Sequence, residues 1–550
     1  MVNAAYSGTG INQNCAFSDV RDLWTEGSYC VDSSATSSCW KWIGTGGDTY
    51  MILGSIADGV SYRIGQNGPN SSDYYGLAGD PYGSGIPLPI SGTASAHTKI
   101  LGGNFASCSA QSARTQLHGG YGVSTILNMA GAAYVDVACL DLTDFSQCGR
   151  AAQAHGCHTG YPLDDYATEG ITWSNQSTND TLTDVRIHGM AAVGMNGPTG
   201  TGVVMKDLAL VGNPGAGWNA DPGDGTTGTG TLLVQNFNIS WNGCAEEYPI
   251  VDGLPYQDCT DDNVGGYGDG FGTASVASQN GGWQVHFDQG TVSYNTQDGL
   301  DGLHATGVGT SMTFTRISAY GNMGQQLKAG SGTSTVQNSV IITNCNALRQ
   351  PMPGTPSGYN SRLSDFCRAA DTGMAMEVGK GQTFTFDNNT VYSDSATTLE
   401  LDCDVTYGAC DSTSKVDYRN NIFLGFLNNN ADGYTNGGSG DYANPIYNGI
   451  PETGGVSGTN PFVNPGSVFS NNLVYHPKSN WQCPAAGETN AFCGVDPGLT
   501  DEGWHLYGLN NAEPLSTSFA LGRGISLSSV VMDILGAIRS GVMSLGAYQQ

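Results

Sequence analysis

The stretch NTQDGLDGLHATG at 295–307, followed after a short run by GNMGQQLKAG at 321–330, decides how the chain is read. It looks like two consecutive coils of one repeating architecture. It also brings Asp298, Asp301 and Lys328 to comparable places in those coils. The chain has only seven lysines, and Lys328 is the sole one between Lys206 and Lys380. A lone lysine beside acidic residues, in so lysine-poor a chain, needs a reason.

Outward from this stretch the repeat continues. LTDVRIHGM (182–190), VMKDLALVGN (204–213), VQNFNISWNG (234–243), FDQGTVSYNT (287–296), FTRISAYGNM (314–323), VQNSVIITNC (336–345), FDNNTVYSDS (386–395) and YRNNIFLGF (418–426) share one pattern. A short β-branched or aliphatic strand runs into a polar turn, often with Asn. The turn residues Asn213, Asn242, Asn295, Asn322 and Asn344 lie 29, 53, 27 and 22 residues apart. The long step contains the insertion CAEEYPIVDGLPYQDCTDDN (244–263). Periods of this size built from strands indicate a solenoid. No LxxLxL pattern recurs, so the expected fold is all-β: a parallel β-helix with an N-terminal cap and long loop insertions, right-handed by its resemblance to known proteins of that class.

The 550 residues are read as one domain. Residues 1–165 are the cap and early coils, with CAFSDVRDLWTEGSYC (15–30) as a short capping helix. Residues 166–425 are the regular coils, and 426–550 are loops and closing coils. The last segment, ending LGAYQQ, resembles the closing segment of many right-handed β-helix proteins, which implies strands that seal the core. A second insertion, Arg349–Thr372, carries Arg349, Arg362 and Arg368, three of the twelve arginines.

Composition narrows the function. Gly is 81 of 550 residues, and the formal net charge is −29. Such a field repels nucleic acid and anionic membranes, so neither is an expected partner. An anionic polymer stays admissible if a cation bridges the two. Fifteen cysteines lie in or beside loops without tight CxxC pairs, which indicates disulfides and a secreted, extracellular protein rather than zinc. Close pairs are Cys30 with Cys39, Cys148 with Cys157, Cys244 with Cys259, Cys345 with Cys367, Cys403 with Cys410 and Cys483 with Cys493; connectivity stays open. The residues after Met1 lack an apolar core, so Met1 reads as standing in place of a removed leader. No apolar run approaches a membrane span. A monomer is expected.

Equivalent positions in successive coils stack about 4.8 Å apart. Aligning GDGFG (268–272), QDGLD (297–301), QQLK (325–328) and MAME (374–377) gives two columns. One holds Asp269, Asp298, Gln325 and Met374; the other holds Gly272, Asp301, Lys328 and Glu377. Asp-Gly is also a common turn dipeptide, and Lys328 paired with Asp301 and Glu377 could be an ordinary ion-pair ladder. The combination allows more. Clustered carboxylates repel unless a cation joins them, and hard oxygen ligands suit Ca²⁺. A uronic-acid polymer carries a carboxylate next to a C5–H, and removing that proton lets the 4-linked sugar leave. This step needs a cation on the carboxylate and a base at C5.

At these residues the chain resembles the pectate lyases of polysaccharide lyase family 9. Those are right-handed parallel β-helices with Asp-Gly-Phe-like, Asp-Asp-Gly-x-Asp-like and Gly-Phe-Lys-like segments on consecutive coils. The resemblance covers roughly 260–345. It implies Ca²⁺ held by Asp269, Asp298 and Asp301, and Lys328 as the base. Gln297 stands where the family pattern has the first Asp of its pair. The implied activity is Ca²⁺-assisted β-elimination on a pectate-like acidic polysaccharide. Arg349, Arg362, Arg368 and His304 are candidate substrate-binding groups, with Tyr267 and Tyr359 near the groove. NTQDG also resembles the NTD segment of polygalacturonase-like hydrolases, which pair carboxylates. The alternatives are therefore a β-helical glycoside hydrolase and a non-catalytic carbohydrate-binding protein.

Overall fold

The computed structural model describes residues 24–26, 40–65, 88–144 apart from 109 and 121–122, 167–257 apart from 222–225 and 252–253, and the greater part of 268–549. Stretches outside the described residues include 1–23, 27–39, 145–166, 349–367, 427–446 and 449–460.

The chain is a parallel β-helix, and its coils wind in the right-handed sense usual for parallel crossovers. Long strands such as Thr181–His188, Val203–Val211, Gly230–Ser240, Trp283–Ser293 and Ser311–Tyr320 pair in parallel, each with the next. A separate ten-stranded sheet contains the short strands Phe271–Thr273, Leu300–Gly302 and Leu327–Ala329, also parallel and in register. Pairing runs from Thr49–Ile52 to Phe492–Cys493, so coils extend beyond 166–425 on both sides.

Two columns of left-handed backbone fold each coil around the core. Cys139, Asp184, Asp207, Asn236, Gln289, Arg316, Asn338, Asn388, Asn420 and Asn471 all have positive φ at the same place in successive long strands. Each breaks its strand into two faces. Further along, Trp241 and Tyr294 turn the chain again, and Gly212 and Gly321 do so at equivalent positions. With the ten-stranded sheet this makes three faces around one interior. Period-2 alternation fills that interior. One inward column runs Val137, Leu182, Met205, Val234, Phe287, Phe314, Val336, Phe386, Tyr418 and Phe469. All are buried, and each contributes roughly 1.5–3 kcal/mol by leaving water.

Immediately after the second corner comes a buried polar ladder. Asn213 Nδ2 donates to Asn242 Oδ1 (3.0 Å), Asn242 Nδ2 to Asn295 Oδ1 (2.9 Å) and Asn295 Nδ2 to Asn322 Oδ1 (2.8 Å). The corner leaves backbone N–H groups without strand partners, and the same amides accept them. Gln326, from the same coil as Asn322, ends the ladder by accepting Asn322 Nδ2 at 2.8 Å. Asn344, expected as the next marker, instead accepts Gly321 N and donates to His505 O. A second ladder, Asn389, Asn421, Asn472 and Glu488, serves the later coils at the first corner.

Two expectations about the ends are corrected. Trp24–Glu26, within the expected capping helix, is a strand paired antiparallel with Trp40–Trp42; the rest of 15–30 lies outside the described residues. Among its described residues the closing segment supplies no strand from 523 onward. It lies over the outside of the long sheet, where Leu545 and Ala547 are buried with Val340, Ile342, Tyr392, Ile422 and Leu424. Those outward residues are apolar and need a cover, and Gly536, Gly541 and Gly546 at positive φ bend the segment over them.

The insertion after Cys244 is the hairpin Ala245–Val251 and Leu254–Gln257, closed by Cys244–Cys259. His188 joins it to the coils. Its Nε2 lies 2.9 Å from Asp141 Oδ1 and its Nδ1 bonds Glu246 Oε2. Burial alone would lower its pKa, but the charges of Asp141 and Glu246 push it up to about 9. Cys403–Cys410 and Cys483–Cys493 are disulfides between cysteines close in sequence, and Cys108–Cys139 joins two early coils. Cys345 is disulfide-bonded. Cys30, Cys39, Cys148, Cys157 and Cys367 lie outside the described residues.

Replacing Asn295 by Ala removes one rung, taking the acceptor from the buried Asn242 N and Nδ2 on one side and the side-chain donor from the buried Asn322 Oδ1 on the other. The expected cost is about 2–4 kcal/mol, read as a lower denaturant midpoint. A change below about 0.5 kcal/mol would contradict this account of the ladder.

Candidate functional site

The ten-stranded sheet carries the acidic residues and Lys328 on its outer face. Leu300 and Leu327 point inward and are fully buried, so alternation turns Asp301 and Lys328 outward. Gly272, Asp301 and Lys328 are direct partners in successive strands, as the aligned motifs predict. Asp269 and Asp298 come two residues before Phe271 and Leu300, which are themselves paired. Each also holds the next coil. Asp269 Oδ1 accepts Asp298 N at 2.9 Å, and Asp298 Oδ1 accepts Gln325 N at 2.6 Å. The Asp-Gly pairs are not simply turn dipeptides. A Cβ on Gly270 would lie 2.4 Å from Gly299 O, and one on Gly299 would lie 2.3 Å from Gln326 O. Glycine is needed there because the neighbouring coil's backbone fills the space.

Lys328 sits between two carboxylates. Its Nζ is 2.9 Å from Asp298 Oδ2 and 2.8 Å from Asp301 Oδ2. Arg368 NH2 is 2.7 Å from the same Asp298 oxygen. Asp301 Oδ1 accepts Leu303 N at 2.9 Å. Lys328 and Asp298 are almost wholly buried, whereas the Arg368 side chain is 42% exposed, so Arg368 is the part of the cluster that meets solvent.

The charges respond to one another. Burial alone would lower the Lys328 pKa, but Asp301 and Asp298 raise it well above its ordinary value. Burial, then the charges of Asp298 and Asp301, push the Asp269 carboxyl well above the usual range and favour its protonated form. Burial also pushes Asp298 up, while Lys328 and Arg368 pull against that. With two cations in contact, Asp298 is held ionised.

The expected calcium set, Asp269, Asp298 and Asp301, is thus brought together, and its fit to an ion can be judged. Five of its six carboxylate oxygens already accept a donor. Ca²⁺ takes about 6–8 oxygens at about 2.3–2.6 Å, and the point between Asp298 and Asp301 holds Nζ. Gln325 Oε1 is buried without a partner, a single amide oxygen. Among the described residues, no group of three or more His, Cys, Asp or Glu is disposed to hold a metal ion. The set fits an ammonium better than a divalent cation.

Glu377 does not join the column. The partner of Lys328 in the next strand is Ala375, and Glu377 pairs with Asp402. Of the candidate substrate-binding residues, Arg368 is in the cluster. Arg349, Arg362 and His304, with Tyr267 and Tyr359, lie outside the described residues. His286 is on the long sheet, bonded to Thr315.

Sequence reasoning missed the continuation of this face below the cluster. Thr172, Asn196, Asn219 and Gly272 are consecutive partners leading to Asp301. Asn219 donates to Asn196 (3.3 Å), and Asn196 and Thr172 donate to Glu169 (2.7 and 2.8 Å). The signal was present, since WNA (218–220) and GMN (194–196) repeat the apolar-then-polar order of GLD and QLK.

No family model and no curated protein sequence matches the chain. Among solved structures, the chain is similar to pectate lyase Pel9A at 12% identity and TM-score 0.41, covering 94% of this chain and 99% of that one. It is also similar to the A-module of the mannuronan C-5 epimerase AlgE4 from Azotobacter vinelandii, at 11% identity and TM-score 0.38, covering 67% and 85%. A third is the Dettilon tailspike protein, at 10% identity and TM-score 0.34, covering 83% and 63%. Likeness at this level does not speak to the residues of the cluster.

Gly324 tests the cluster's packing. A Cβ there would lie 2.2 Å from Asp298 Oδ1 and 2.8 Å from Arg368 NH2. Gly324→Ala is expected to cost about 1–3 kcal/mol, and at least about 0.5 kcal/mol less in an Asp298→Ala background, where the obstructing carboxylate is gone. Strictly additive denaturation energies would contradict the contact.

Proposed function

We propose that the protein is a secreted enzyme acting on an acidic polysaccharide, and that it cleaves a polyuronate by β-elimination at the Asp298–Asp301–Lys328–Arg368 cluster. The observation that carries this reading is Lys328 Nζ at 2.9 and 2.8 Å from two carboxylates, with Arg368 on the same group at 2.7 Å. Among the described residues, these two cations stand on an outer face of a chain whose net charge is −29. A uronate carboxylate approaching that face is drawn to them. Disulfides and the absence, among the described residues, of a helix able to cross a membrane are in keeping with secretion.

In this reading Arg368 receives the substrate carboxylate, its two donors matching the two oxygens. Neutralising that carboxylate acidifies the C5 proton. Lys328, as the free amine, takes the proton. The electrons form the C4–C5 double bond, the C4–O bond breaks, and the departing oxygen is protonated from water. Asp298 and Asp301 orient Nζ and also keep it protonated at rest, so only a small fraction is competent at neutral pH. No step here runs through a metal ion. A second reading has its own support. In it Asp269 and Asp298, adjacent on successive coils through the 2.9 Å bond from Asp298 N to Asp269 Oδ1, would serve as the two carboxyl groups that a glycoside hydrolase needs.

The test is incubation with polygalacturonate and other uronans, following ultraviolet absorbance of the unsaturated product and, separately, new reducing ends. Elimination predicts both signals together. It also predicts kcat/KM rising roughly tenfold per pH unit over the neutral to alkaline range, and loss of about 10²-fold or more in Lys328→Ala. Reducing ends without absorbance would support hydrolysis instead. No product from any uronan would sink both readings.

A further inference from the structure

The acidic residues of this cluster invite a divalent ion, but its contacts describe a site that already has its cations. We infer that Lys328 and Arg368 are the resident counter-ions of the cluster, standing where a bridging metal would stand and making the site independent of calcium. The inference concerns what occupies the cluster, so it can fail or hold whatever becomes of the proposed reaction.

Three observations converge. The first is position. Nζ lies within 2.9 Å of Asp298 Oδ2 and 2.8 Å of Asp301 Oδ2, so an ion bound by both would have to displace it. The second is the inventory of acceptors. Asp298 Oδ2 receives both Lys328 and Arg368, and Asp298 Oδ1 receives Gln325 N. Asp301 Oδ1 receives Leu303 N and Asp269 Oδ1 receives Asp298 N. Turning these oxygens onto a metal would compete with backbone N–H groups, two of which, Asp298 N and Gln325 N, hold one coil to the next. The third is charge. Asp298 and Asp301 carry two negative charges, and Lys328 and Arg368 supply two positive ones. Position 297 offers a neutral Gln. Adding a divalent ion would leave a buried excess of positive charge, which low-dielectric surroundings penalise.

Arg368 is the informative partner, because it reaches the cluster from the 349–372 insertion rather than from the sheet. Its side chain is 42% exposed. It therefore offers from the solvent side what a bridging ion offers, a positive charge shared between a protein carboxylate and an incoming one. Its planar fork does so with fixed geometry.

The inference is tested by calorimetric titration of CaCl2 into the purified full-length protein at neutral pH. A chain of net charge −29 can bind calcium weakly elsewhere, so the readout is the difference between the wild type and Asp301→Asn. The expected result is no difference between these two. Lys328→Met vacates the position between the carboxylates and is expected to gain a saturable calcium site, at least about tenfold tighter than any wild-type binding. A further Asp301→Asn change in that variant should abolish the gain. Arg368→Gln, altered at a half-exposed side chain, gives a second variant should Lys328→Met fail to fold, and it too should bind calcium more tightly than the wild type. Saturable wild-type binding that Asp301→Asn removes would overturn the inference. So would absence of any gain in both charge-removal variants.

Discussion

Unbroken parallel register is the constraint on which the rest of this structure depends. Asp301 and Lys328 are 27 residues apart in sequence, yet they are direct partners across two strands. The Asn213–Asn242–Asn295–Asn322 ladder enforces that register beside the cluster, because the amides of Asn213, Asn242 and Asn295 each accept from one coil and donate to the next. Three residues past Asn295 comes Asp298, and six past Asn322 comes Lys328. The polar ladder inside thus fixes the charged column outside. Glycines 270 and 299 complete the arrangement by letting the coils approach without a Cβ between them.

The cluster that results is more than a surface ion-pair ladder. Lys328 and Asp298 are buried nearly completely, and an unpaired charge there would be costly. Pairing solves that problem but sets a second one, since an ammonium held by two carboxylates is a poor base. Whatever chemistry this face performs must first draw Asp298 or Asp301 away from Nζ, or proceed where the amine is deprotonated. An incoming carboxylate at Arg368 competes for that same guanidinium and so loosens one side of the network.

Much of this was legible in the sequence. Strand–turn repeats implied the coils, and the order GDGF, QDGLD, QLKAG gave the correct register at Gly272, Asp301 and Lys328. The failures have physical causes. Placing Glu377 above Lys328 was a slip of two residues across the 349–372 insertion. A two-residue slip keeps every side chain on the same face, so alternation alone cannot detect it. Asn344 fits the repeat but turns aside because Gln326 already fills the end of the ladder. The closing segment looks strand-like because it is apolar, yet Ile534, Leu545 and Ala547 cover the outside of the long sheet rather than pairing at its end, and Val531, Leu535, Ile538 and Val542 stay exposed. The double-Asn segments 388–389, 420–421 and 471–472 were a clear signal of a left-handed corner followed by a ladder rung. Arg368 could not be placed from sequence, since it lies within a long insertion and only the fold brings it to Asp298.

The most direct measurement of the central claim is a crystal structure of the protein soaked with a saturated uronate oligosaccharide in the presence of calcium. The account predicts a sugar carboxylate within about 3.2 Å of the Arg368 guanidinium, on the outer face of the ten-stranded sheet, with Nζ of Lys328 still the cation nearest Asp301. An oligosaccharide seated on another face, or a calcium ion between Asp298 and Asp301, would contradict it.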